Sequence, residues 1–139
     1  MLTINATEVR NEWSTVIDSV IREKPRFIKR TRDHMLLADL KIIENMLEPY
    51  AFTAEEFIEN DGSVTLSLNE IDLVENGKNK QEALYNMSKS ILEYAEDYYK
   101  EFSYWATGSR RAHIPYVFKV LILNDLEKIG GLIACHPGK

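Results

Sequence analysis

The residues with the most evident chemistry are cationic. Between Arg22 and Arg32 the chain places Arg22, Lys24, Arg26, Lys29, Arg30 and Arg32 against a single acid, Glu23. Guanidinium and ammonium groups at this density attract a polyanion. They do so over a Debye length of about 8–10 Å, whatever the charge of the rest of the molecule. The same run also suits a solvated strand edge, because Lys and Arg keep exposed edges from pairing. Charge alone leaves both readings open.

Catalytic chemistry finds less support. A two-metal nuclease needs carboxylates that converge on divalent ions. The available acids, Glu59, Asp61, Asp72 and Glu75, fall in or near expected turns and read as solvated charge. Ser109 and Cys135 have no base beside them in sequence. No Gly-rich phosphate loop occurs. His34, His113 and His136 lack metal-ligand spacing. The expectation is a binding protein and not an enzyme, with no catalytic residue, cofactor or metal.

The elements that must carry these residues follow from pattern. The chain has 139 residues, 45% apolar and 28% charged, with a net charge of -5. That is globular composition, sized for one medium domain or two small ones. The longest apolar runs, such as Val120 to Leu123, reach four residues, too short for a membrane span. The first residues lack the pattern of a secretory signal. One cysteine, Cys135, fits a reducing cytoplasm. Charge divides the chain unevenly: residues 1–48 hold 8 basic and 8 acidic side chains, residues 49–101 hold 4 and 12, and residues 102–139 hold 5 and 2.

In residues 1–48, a short strand at Leu2–Ile4 precedes a helix that Asn5 can cap, with Glu8 as capping-box partner. Val9, Trp13, Val16, Ile17, Val20 and Ile21 form one apolar face of a continuous helix that Pro25 ends. Phe27–Arg32 reads as a strand, Arg32-Asp33-His34 as a turn, Met35–Ala38 as a return strand, and Asp39 as the cap of a second helix. Alternation along the strand puts Arg30 and Arg32 on one side. Such a unit is too small to bury its apolar surface alone, and a two-fold dimer is the commonest remedy.

Glu48-Pro49-Tyr50 marks the boundary to a second domain, residues 49–139. Phe52–Ile58 reads as a strand, Asn60-Asp61-Gly62 as a hairpin turn, and Val64–Leu68 as a strand with one buried face. Gly77 is expected to break the chain after Leu73-Val74. Asn79 opens a long helix running through Leu84, Met87, Ile91, Tyr94, Tyr98 and Phe102. Tyr94, Tyr98, Tyr99, Tyr104 and Trp105 crowd its end. Aromatics so placed serve as core or as anchors for a partner. On the second reading Tyr98, Tyr99, Tyr104 and Trp105 are partner contacts. Ala106–His113 reads as a loop, Tyr116–Leu123 as a buried segment, and Leu132–His136 as a late strand.

Two resemblances organise these elements. Ile4-Asn-Ala-Thr-Glu-Val-Arg10, the helix after it, Phe27-Ile-Lys-Arg-Thr-Arg32 and Leu36-Leu-Ala resemble the Phd/YefM antitoxin fold over residues 1–48. Asp33 departs from the Gly common in that family's hairpin. Ile58–Leu68 together with Gly77-Lys-Asn-Lys-Gln-Glu-Ala-Leu84 resembles the HicB-like antitoxin domain over about residues 52–100. Asn69 stands where that family usually has Pro, and residues 103–139 have no counterpart there. The resemblances imply an α+β fold: an N-terminal Phd/YefM-like β-α-β-β-α dimerisation unit, then a HicB-like, partly ribonuclease-H-like sheet-plus-helix domain. They imply an antitoxin of a toxin–antitoxin pair, a homodimer that binds operator DNA and neutralises a cognate protein toxin through its acidic C-terminal part. Thr7, Arg10, Asn11, Arg30 and Arg32 would then face DNA. Arg suits phosphate or guanine and Asn suits adenine. An intrahelical salt bridge is the competing role for Arg10. The competing function is a module that binds protein or ligand but not DNA.

Overall fold

The structure is a computed structural model and describes residues 2–138. The chain folds as two compact units, the first ending at Met46 and the second beginning at Leu47. The break therefore falls slightly before the expected Glu48-Pro49-Tyr50.

The first unit runs β1 (Thr3–Asn5), α1 (Ala6–Asn11), α2 (Trp13–Arg22), β2 (Arg26–Arg30), β3 (Asp33–Leu37) and α3 (Leu40–Met46). Its sheet has the order β1-β2-β3, with β1 parallel and β3 antiparallel to β2. Asn5 does cap the first helix, its Oδ1 accepting the Thr7 N–H at 2.9 Å. The expected continuous helix is instead two. Glu12, at φ -113 and ψ 33, closes α1 and opens α2. Val9, Val16 and Val20 pack on Ile28, whereas Trp13 and Ile21 face out, Trp13 at 51% exposure.

The hairpin also differs from its sequence pattern. Thr31 has a φ of 54, a left-handed conformation that ends β2 at Arg30. Asp33 and His34, expected in the turn, pair with Arg30 and Lys29 as the start of β3. Strand alternation stops before Arg32, so the expectation that Arg30 and Arg32 share a side by alternation does not hold. On the helix-free side, Phe27 pairs with Leu36 and both are exposed. Asp39 takes the Lys41 N–H at 3.0 Å at the start of α3, a helix with no buried residue.

The second unit runs β4 (Phe52–Ile58), β5 (Val64–Leu68), β6 (Val74–Gly77), α4 (Lys80–Lys100), α5 (Phe102–Trp105), a 3₁₀ turn (Gly108–His113), α6 (Ile114–Leu123), α7 (Leu126–Gly130) and β7 (Ile133–Pro137). The sheet order is β6-β5-β4-β7, with β7 parallel to β4 and the other pairs antiparallel. Gly62, at φ 84, makes the β4–β5 turn. Asn79 accepts the Glu82 N–H at 2.9 Å and starts α4, which lays Ala83, Met87, Ile91, Ala95 and Tyr98 over Phe52, Ala54, Val64, Leu66 and Leu68.

Several expectations change here. Gly77 ends a strand and does not merely interrupt the chain. It is buried where β6 meets α4, and a β-carbon there would collide with the Ala83 backbone nitrogen. Residues 108–113 form a 3₁₀ turn and not an open loop. Glu101 ends α4, so Phe102 begins a separate short helix. Within Tyr116–Leu123 only Val117 and Val120 are fully buried, because the helix turns its other face outward. The segment after Ser103 belongs to this unit: Val117, Val120 and Ile129 complete its core.

Candidate functional site

The amino-terminal unit presents its cations freely. Thr7, Arg10, Asn11, Arg30 and Arg32 are all exposed. Thr7 and Arg10 lie on α1, Asn11 closes it, Arg30 ends β2 and Arg32 lies in the turn beyond. Among the described residues the single ion pair is Lys80–Glu56 at 3.2 Å, so no carboxylate holds Arg10, Arg30 or Arg32. The intrahelical salt bridge considered for Arg10 is therefore not formed. Arg26 differs from its neighbours in the run: its Nη1 donates to Ser19 Oγ at 2.9 Å, tying β2 to α2. The Asn5 side chain already occupies the Thr7 N–H, so what this surface offers an anion is side chains more than a free helix end.

The carboxy-terminal unit gathers aromatic and basic groups at the end of α4. Tyr98, expected as a partner contact, is instead 0% exposed, and its hydroxyl donates to the Arg110 carbonyl at 2.5 Å. A polar tip satisfied by backbone lets so large a ring sit inside the core. Tyr94 bonds His113 Nδ1 at 2.6 Å and stacks edge-on against Trp105. The Arg110 guanidinium lies 4.7 Å from the Trp105 ring centre and 5.4 Å from that of Tyr104. Tyr99 and Tyr104 are open to solvent, at 59% and 66%, while Trp105 is half-buried. Two of the four aromatic candidates therefore offer a full surface, and Trp105 offers one edge.

Burial sets the protonation chemistry of this cluster. It raises the Tyr94 and Tyr98 hydroxyls above the ordinary tyrosine value, with Tyr98 adding to the rise at Tyr94. It lowers His113 below the ordinary histidine value, and the Arg110 charge pushes in the same direction. Neutral Tyr94 and neutral His113 are the matched forms. Sequence reading missed His113 and Arg110 because the chain must fold back over 12 to 19 residues to bring them onto α4.

Several of the remaining acids make contacts within the fold. Asp61 takes the Ser63 N–H at 2.9 Å, and hydrogen bonding from the Ser63 side chain and then its backbone lowers the Asp61 carboxyl below its ordinary value. Glu75 accepts a short hydrogen bond from Ser90. Glu70 takes both the Thr53 N–H and its hydroxyl. Burial raises the Cys135 thiol. Among the described residues no three His, Cys, Asp or Glu side chains gather as metal ligands would, and no helix is long and apolar enough to cross a membrane.

Comparison with known proteins gives these surfaces a context. Residues 1–135 match the PHD-like family model, described as antitoxin of toxin-antitoxin, RelE / RelB, TA system. The match spans both units under one description, whereas the sequence resemblances divided the chain between two families. Among curated proteins no sequence matches. Among solved structures, the chain is similar to a crystal structure from Syntrophomonas wolfei subsp. wolfei, described as the antitoxin part of a candidate toxin/antitoxin system. Identity is 36%, the TM-score is 0.93, and 99% of each chain is covered. A match over nearly the whole length, joined to a shared fold at that identity, decides the matter: the chain belongs to the PHD-like family of antitoxins of toxin–antitoxin systems.

Proposed function

We propose that this antitoxin acts in the cytoplasm as a homodimer that binds operator DNA near its own genes through residues 1–48 and neutralises its toxin through residues 49–139. In this reading the two parts have Phd/YefM-type and HicB-like roles. The observation that carries it is the pairing, in one small unit, of unengaged arginines with uncovered apolar surface. Four residues make up the fully buried core of that unit, while Leu2, Trp13, Ile21, Phe27, Leu36 and Leu40 stay exposed. Apolar surface left open to this extent on so small a unit suits an interface. A two-fold partner would cover it and would present Thr7, Arg10, Asn11, Arg30 and Arg32 twice, as a palindromic site requires.

The test is a mobility shift with the promoter fragment upstream of the gene, run over a salt series. Binding should weaken with salt, with a slope near ~0.9 per phosphate contacted. Arg10→Ala and Arg30→Ala should each weaken it. If neither does, the DNA surface lies elsewhere. For the second half of the proposal, the protein encoded beside the gene should bind and should be basic, since opposite fields steer association. The second unit supports this with 15 acidic against 9 basic residues.

A further inference from the structure

Helix α6 carries more apolar surface than its own unit covers. Its ten residues include one charged side chain, Lys119, whose Nζ is tied to the Glu48 carbonyl at 2.8 Å. A helix apolar on all sides belongs in an interior. Yet α6 buries only Val117 and Val120. Pro115, Phe118 and Ile122, at i, i+3 and i+7, lie on the side opposite those two valines and stay half-buried. Two exposed rings extend the strip. Tyr99 at the end of α4 meets Phe118 edge-on, with ring centres 6.0 Å apart, and Phe102 of α5 meets it at 5.9 Å. The rings hold one another in place, so little side-chain freedom remains to be lost on binding.

Charge selects what covers this strip. Glu93 and Glu96 are exposed on α4 in the two turns before Tyr99, and Asp125 and Glu127 are exposed just after α6. A second copy of this acidic unit would bring like charges together. A cationic protein would bring opposite ones, and its Lys and Arg stems also pack on aromatic faces. We infer that the strip formed by Pro115, Phe118 and Ile122 with Tyr99 and Phe102 is the surface on which the carboxy-terminal unit receives a basic protein, the toxin. This inference rests on the reading that residues 49–139 bind the toxin, and it names where they do so.

The experiment uses full-length chain and the protein encoded by the adjoining reading frame, with affinity measured by calorimetry at low and high salt. The variants are Tyr99→Lys and Ile122→Lys, with Ile58→Lys and Val74→Lys as controls at exposed apolar positions away from the strip. Circular dichroism checks that each is folded. A positive charge introduced at a central aromatic or aliphatic anchor should weaken binding of a basic protein about 10-fold or more. The controls should stay near wild type, and Glu96→Gln should flatten the salt dependence. Should Ile122→Lys misfold, Tyr99→Lys alone decides, because its ring is exposed. Wild-type binding that Tyr99→Lys and Ile122→Lys leave unchanged would overturn the strip while keeping the toxin reading. Absence of wild-type binding would overturn both. Loss of self-association in Ile122→Lys, seen by sedimentation, would assign the strip to a second copy and overturn the inference.

Discussion

The two units are built from the same parts, a small sheet with helices on one side, and they differ in how far they close. In the second, the 21-residue α4 lies over the sheet and its buried side chains include Met87, Ile91 and Tyr98; α6 and α7 add Val117, Val120 and Ile129. In the first, α1 and α2 contribute three valines over Ile28, and α3 buries nothing. Both contain many apolar residues. The difference comes from reach: a six-residue and a ten-residue helix meeting at Glu12 cannot cover a sheet face as one long helix does. Small units also bury a smaller share of their chain's surface. One unit thus closes its core, apart from the strip along α6, and the other leaves much of its apolar surface uncovered.

The strongest test of that contrast is Ile91→Ala. The side chain is 1% exposed in the middle of α4, and truncating it should cost about 2–5 kcal/mol by lost transfer energy and a residual cavity. In a urea titration of the full chain, only the transition of the second unit should move. Equal movement of both transitions would show that the units do not fold separately, and the comparison would fail. A smaller effect sharpens the other half. If pairing completes the first unit, its transition should strengthen by about 1.4 kcal/mol for each tenfold rise in protein concentration. The second unit should not respond. A first transition that ignores concentration would mean that the unit is stable as a single copy.

What the sequence revealed follows the same division. Helix α4 and strands β4 and β5 were legible because local signals and tertiary demands agree there: Asn79 caps, Met87, Ile91 and Tyr98 recur at helical spacing, and Val64, Leu66 and Leu68 alternate. The break at Glu12 was not legible, since no Pro or Gly marks it. Trp13, which opens α2 just past it, looked like core and is exposed. Thr31 hid a turn for the same reason, because a β-branched residue rarely takes a positive φ. That misplaced Arg32 relative to Arg30. Tyr98 read as core or as a partner anchor until the Arg110 carbonyl showed how its hydroxyl is satisfied inside the core. The cationic surface was visible as composition. That its arginines are unpaired became visible only in three dimensions.

The smallest expected effect concerns pH and again separates the units. Within the second, His113 shares a hydrogen bond with the Tyr94 hydroxyl and sits near Tyr98 and the positive Arg110. Burial and that neighbouring charge lower its folded pKa below the unfolded value near 6.5. Between the two values the unfolded chain binds the proton and the folded chain does not, so stability rises with pH across that window. Above about 6.5 the contribution is complete. As pH falls below that value it is lost progressively, until the folded histidine is also protonated. His113→Gln removes the titrating group and should flatten this part of the profile in urea titrations between neutral and mildly acidic pH. Phe in place of Tyr94 keeps the ring but removes the hydrogen bond, so most of the pH slope should survive, because burial is the larger cause of the shift. If wild type and His113→Gln weaken equally on acidification, the acid sensitivity lies in the carboxylates, and the aromatic cluster contributes packing alone.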